Sequence, residues 1–213
     1  MSGIGWIKEI PSEISSHEKD WFKEIKPEEG MTFKDSREFW DNFFGSEIEK
    51  NDCLSTYDER LKQTPRDDSD RGMWEGERGE SKFIPKDPEI LKILQGYGLD
   101  GIVYKDGIPD FSEVSESTVE IDNMTENRAE NFKQCDEKCA EQWNKEKRDG
   151  KDNWTARDVA RWRKENGYTW HERNDMKTCD LIPTKINDYF GHLGGVSECK
   201  NRDSSNDGGD FDD

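Results

Sequence analysis

Between Thr155 and Gly195 the chain carries a run of start and stop signals that few folds can satisfy. Thr155 with Asp158 three residues on forms a capping pair, and Gly167 stops the helix they open. Tyr168, Thr169 and Trp170 then favour a strand, Glu172-Arg173-Asn174-Asp175 a turn, and Met176 to Ile182 a returning strand. Pro183 suits the first turn of a helix, Thr184 to His192 is helical in pattern, and Gly194-Gly195 ends it. The spacing therefore predicts helix, strand, turn, strand, helix, an α+β arrangement in which a short hairpin feeds directly into a helix.

The remaining elements build around that unit. The segment from Asn127 to Asn144 is helical, with Ala129, Phe132, Cys135, Cys139 and Trp143 on one broad face. Cys135 and Cys139 lack a second ligand pair at metal spacing and read as core residues. Asp106-Gly107 sits between β-prone residues and predicts a small hairpin. Two amphipathic stretches, Ser15–Ile25 and Thr32–Gly45, read as helices of an N-terminal extension. The polar run Thr64–Gly72 marks a boundary, giving a helical connector over 1–72, a main domain over 73–198 and an acidic, disordered tail over 199–213.

Composition limits what such a chain can do. Only 30% of residues are hydrophobic against 38% charged, so the core is modest and leans on eight Trp and ten Phe. A net charge of -18 excludes a protein that simply coats nucleic acid. Asn144–Glu198, with 11 basic and 10 acidic residues, is the segment that does not repel an anion. Five cysteines without framework spacing argue against a disulfide-stapled domain. No apolar run approaches the ~20 residues of a membrane span, and no signal-peptide pattern opens the chain. Membrane insertion is not expected, and export would need a specialised route.

His171 ends the first strand of the hairpin and His192 lies near the end of the helix that follows the second, so a strand–strand–helix unit can bring both to one divalent ion and one water. Phosphodiester hydrolysis needs that combination of a base and a cation that neutralises developing charge. On the helix Asp188 and His192 are four apart and can share a face, with Asn187 to the neighbouring side. The residues alone also fit a hairpin whose two histidines are merely hydrogen-bonded.

The stretches "TWHE", "DMKTCDLIP" and "FGHLGGVSE" resemble the nuclease toxin domains of the HNH/endonuclease VII superfamily, the bacterial polymorphic toxins whose motif opens Trp-His-His or Trp-His-Glu. The matching residues are Trp170, His171, Asp175, Lys177, Thr178, Leu181, Ile182, Pro183, His192, Gly194 and Gly195. The resemblance implies a ββα-metal nuclease: a metal-dependent endonuclease toxin, DNA favoured, holding Mg²⁺, Zn²⁺ or Mn²⁺ through His192, Asn187 and Asp188. Asn187 stands where many relatives have histidine and favours Mg²⁺.

Glu172 stands where many relatives have a second histidine, which leaves two assignments open. In one His171 is the base with Glu172 in support; in the other His171 binds metal and Glu172 is the base. Arg78, Arg157, Arg161 and Lys177 are the candidate contacts to nucleic acid. For Arg78 the alternative is an ion pair with Glu75, Glu77 or Glu80, and for Arg157 and Arg161 a solvated helix face. The resemblance further implies an immunity protein in the producing cell, a secretion-system carrier and action in the cytoplasm of a target cell. An RNase of the same fold, or an inactive acidic interaction module, are the competing readings.

Overall fold

A computed structural model describes residues 53–206. The two N-terminal helices expected before Lys50 lie outside the described residues, as does the chain from Asp207. Among the described residues the architecture is mixed, with six α-helices and two small antiparallel sheets.

Helix α1 (Tyr57–Gln63) opens on a capping box made by Thr56 and Glu59. It leads into β1 (Gly72–Trp74), β2 (Lys82–Pro85), α2 (Pro88–Gly96), β3 (Ile102–Lys105) and β4 (Ile108–Pro109). These strands form the first sheet in the order β1-β2-β3-β4. The Asp106-Gly107 hairpin forms as expected, with both residues at positive φ (54° and 74°), the conformation a tight turn of this hand requires.

The second half carries β5 (Ser117–Glu120), α3 (Arg128–Glu146), α4 (Ala156–Asn166), β6 (Tyr168–Glu172), β7 (Thr178–Pro183), α5 (Thr184–Tyr189) and α6 (Gly195–Asn206). Its sheet runs β5-β7-β6, so β7 is paired on both edges. Helix α4 has the expected capping box at Thr155 and Asp158 and stops at Gly167 in the left-handed region (φ 73°).

Alternation along β6 and β7 separates two cores. Trp170, Cys179 and Leu181 face α3, where they pack with Cys135, Cys139 and Trp143. Ile182, one residue on, joins Phe83, Leu94, Tyr104, Phe111, Ile186 and Phe190 on the other side. Cys135 and Cys139 are therefore core residues, as their helical face predicts. Burial leaves the Cys139 thiol pushed up to about 12, which keeps it unreactive.

Three expected boundaries shift. The helix after Pro183 ends at Tyr189, because Phe190 turns extended (φ -87°, ψ 97°) to bury its ring, so His192 lies in a loop. Gly194-Gly195 does not end that helix; Gly195 begins α6, which continues through Asn206 across the start of the expected tail and buries Cys199. A Cβ on Gly195 would collide with the Arg173 carbonyl and Met124 Sδ, so the glycine permits α6 to approach the hairpin. At the other end, α1 belongs to the same compact unit as everything after Gly72. Buried Arg60 donates to the Asp106 carbonyl (2.8 Å) and to that of Ser55.

A buried polar triad fastens α3 to α4 and β6. Arg163 donates twice to Asp136 (2.8 and 3.0 Å), and Trp170 Nε1 donates to the same carboxylate at 2.9 Å. Removing one member strands a desolvated charge, which costs about 3–5 kcal/mol. Asp136→Ala is expected to lower the unfolding free energy by about that amount in urea titrations. A loss under about 1 kcal/mol would show that the triad contributes little beyond an exposed ion pair.

Candidate functional site

Strand parity decides which side chains meet. His171 and Glu172 are adjacent in β6, so they leave the strand on opposite faces. His171, 3% exposed, points with Ile182 to the second core. Its ring lies 4.8 Å from that of His192, and the edge of Phe111 packs on both at 4.9 and 5.5 Å between centroids. Glu172 turns to the α3 face, where Asn131 Nδ2 donates to it at 3.4 Å and Arg128 pairs with it at 3.4 Å. The expected support of His171 by Glu172 is not formed, because the two side chains lie on opposite faces of the sheet.

His192 Nδ1 meets the Phe190 carbonyl at 2.6 Å; with Nδ1 as donor, the lone pair resides on Nε2. Asn187, on α5, turns its amide oxygen towards His171 and eases its protonation slightly, but this buried Oδ1 meets no donor in hydrogen-bond geometry. Such an orphan acceptor is uncommon and asks for a ligand. Asp188 is exposed on α5, apart from this group. The i,i+4 partnership expected between Asp188 and His192 fails because the helix ends before His192.

Burial holds both imidazoles below the ordinary value of 6.5, His171 well below, with the neighbouring His192 and then Arg173 adding to its shift. Burial raises the Glu172 carboxyl, against the opposing pull of Arg128. Two neutral imidazoles and an unpartnered amide oxygen are thus gathered at one point. Among the described residues no group of three or more His, Cys, Asp or Glu is placed to hold a metal ion.

Two residues not singled out from the sequence complete this face. Asp180 lies opposite His171 in the β6–β7 register and is 1% exposed. Arg173, two residues past His171, donates to both Asp180 oxygens (2.6 and 2.8 Å), while Thr118 Oγ1 donates to the same carboxylate at 2.7 Å. The Arg173 side chain remains 40% exposed, a cation fixed in direction beside the imidazoles. The period-two spacing from His171 was the signal that could have found it.

The expected nucleic-acid contacts fare differently. Arg78 is committed to α1, donating to Thr64 Oγ1 (2.9 Å) and to the carbonyls of Leu61 (2.7 Å) and Thr64 (2.9 Å), so it neither stands free for phosphate nor pairs with the nearby glutamates. Lys177 is exposed and paired with Glu120 at 2.7 Å, and Arg161 with Asp158 at 3.3 Å. Arg157 is exposed on α4. These lie off the face that His171 and His192 share. A separate carboxylate, Glu198 in α6, is fully buried and gathers Leu54 N (2.7 Å), Ser55 N (2.9 Å), the Ser55 hydroxyl and Asn174 Nδ2 (2.9 Å), fastening α6 to the hairpin turn.

Residues 101–194 match the family described as the DNase/tRNase domain of colicin-like bacteriocin. The matched span is just under half of the chain and includes His171, Arg173, Asp180, Asn187 and His192. A search of curated proteins gives no match. The family likeness supports a nuclease domain of bacteriocin type, and with it hydrolysis of nucleic acid.

The depressed imidazoles have a thermodynamic consequence. In the unfolded chain they take up protons near 6.5, in the folded chain only at lower pH. Between those limits the unfolded state binds more protons, so their stabilising contribution is complete above 6.5 and is lost as pH falls. Chelator-treated protein is expected to unfold at lower urea at about pH 5 than at about pH 7.5. His171→Gln should narrow that gap; an equal gap in both proteins would rule out His171 as a source of it.

Proposed function

We propose that the chain is a metal-dependent endonuclease toxin whose centre is His171, His192 and Asn187. The observation that carries this is the unpartnered, buried Asn187 Oδ1 beside two imidazoles held neutral, within a span similar to bacteriocin nucleases. The donor set fits a divalent cation: two ring nitrogens and one amide oxygen leave open positions, as a hydrolytic site needs. His171, His192 and Asn187 would hold it, and the ββα arrangement of β6, β7 and α5 would be its frame.

When bound, such a cation supplies charge neutralisation at phosphate and activates water near neutral pH. The protein's own residues do the rest. Arg173, aimed by its double bond to Asp180, orients a phosphodiester next to His171. Phe111 closes one side of the imidazole pair and limits competing water there. His171, more buried and less basic, suits a cation holder better than a proton acceptor, which favours the assignment in which it binds metal, although Glu172, on the opposite face of β6, is not placed to be the base beside it.

DNA is the favoured substrate, with RNA the alternative, since the matched family description covers both DNase and tRNase. An immunity protein in the producing cell and export by a specialised route complete the reading.

The test is cleavage of plasmid DNA and of total RNA with Mg²⁺, Mn²⁺ or Zn²⁺. We expect chelator-sensitive cleavage that falls at least about a hundredfold in His171→Ala and in His192→Ala. Arg173→Lys should lose about tenfold while keeping cation affinity, because a lysine cannot reproduce the bidentate geometry. Asn187→His should tighten Zn²⁺ binding by about tenfold or more in calorimetry, imidazole being the stronger ligand. Intact substrates under every metal would sink the enzyme and favour an interaction module.

A further inference from the structure

Helices α3 and α4 enclose an open groove of about 450 Å³ on the side of the sheet away from His171. Its floor includes the small residues Ala129, Ala156 and Ala160, which leave room for a chain to lie between the helices. Lys133, Arg157 and Lys164 stand around it, exposed and without an ion-pair partner among the described residues. The one carboxylate in the lining, Asp136, is already neutralised by Arg163. In a chain of net charge -18 this is a local concentration of uncommitted positive charge, whereas Arg161, Lys177 and Lys185 are paired.

At its N-terminal end the groove helix α3 meets the strand that carries His171. Arg128, in the first turn of α3, donates to the Trp170 carbonyl at 3.3 Å and pairs with Glu172, at the end of the strand that carries His171. Its charge also helps to hold both His171 and His192 neutral. From Arg128 to Lys133 is five residues of helix, about 7.5 Å of rise. Cations thus continue from the edge of β6 into the groove.

We infer that the α3–α4 groove is a second binding site, one that takes the sugar-phosphate backbone of a nucleic-acid strand extending from the His171–His192 site. It deepens the nuclease reading by giving the substrate a track, with Lys133, Arg157 and Lys164 as phosphate contacts. Phe132 is not a stacking platform, since Arg128 and Arg163 already cover its ring at 5.1 and 4.9 Å. The track is therefore expected to read charge and not sequence.

The experiment measures binding, with chelator present, of a labelled DNA strand of about 20 nucleotides, longer than common single-strand site sizes, over a salt series. The full chain is compared with Arg157→Glu/Lys164→Glu and with a charge-matched control, Lys86→Glu/Lys92→Glu, exposed residues outside both sites. The groove pair should weaken binding about tenfold or more and reduce the slope of log affinity against log salt by about 1.4, for two lost phosphate contacts. The control should stay near the native slope. Equal losses in both variants would reduce the effect to the general field, and no loss in the groove pair would assign the groove to another occupant, such as an acidic protein; either overturns the proposal. Circular dichroism of both variants guards against unfolding. Binding is read without catalysis, so absence of cleavage would sink the nuclease centre while leaving this result standing on its own.

Discussion

The period of two along β6 and β7 is the constraint on which the rest depends. A strand paired on both edges must send successive residues to opposite faces, so β7 supplies Cys179 and Leu181 to one core and Asp180 and Ile182 to the other. The same rule sends Trp170 and Glu172 towards α3 and His171 and Arg173 towards α5. A slip of one residue in register would exchange these sets, burying Arg173 among aromatics and removing His171 from His192.

Buried polar groups hold that register. Asp136, Arg163 and Trp170 connect α3, α4 and β6 through three hydrogen bonds in a desolvated place. Glu198 does the same at the other end, tying the segment before α1 and the turn after β6 to α6. Each is strongly directional, so each resists sliding where apolar packing alone would tolerate it. In a chain with few apolar residues, such fixings substitute for the precision of a larger core.

Much of the local structure was legible in the sequence. The capping pair at Thr155, the stop at Gly167, the Asp106-Gly107 hairpin and the β6–β7 strands rest on short-range rules, and the structure carries each of them. Gly194-Gly195 was misread as a helix end because a glycine pair gives the same local signal whether it ends a helix or lets another element approach closely. Arg78 misled for a related reason. A guanidinium between glycines looks available, and only the folded chain shows the α1 carbonyls that occupy it.

The sequence by itself determined the succession of capped helix, two hairpin strands and helix from Thr155 to Tyr189 and the place of His171 on that hairpin, since capping, turn and strand preferences act over a few residues; it carried the last helix on to His192, where the structure has a loop. Tertiary structure decided which side chains share a face. It set Glu172 apart from His171, brought Asn187 with an unpartnered oxygen to the imidazoles, and placed Asp180 behind Arg173. Those outcomes depend on strand pairing and on where α5 stops, and both are fixed by the burial of Phe190 and Ile182 against residues a hundred positions earlier in the chain.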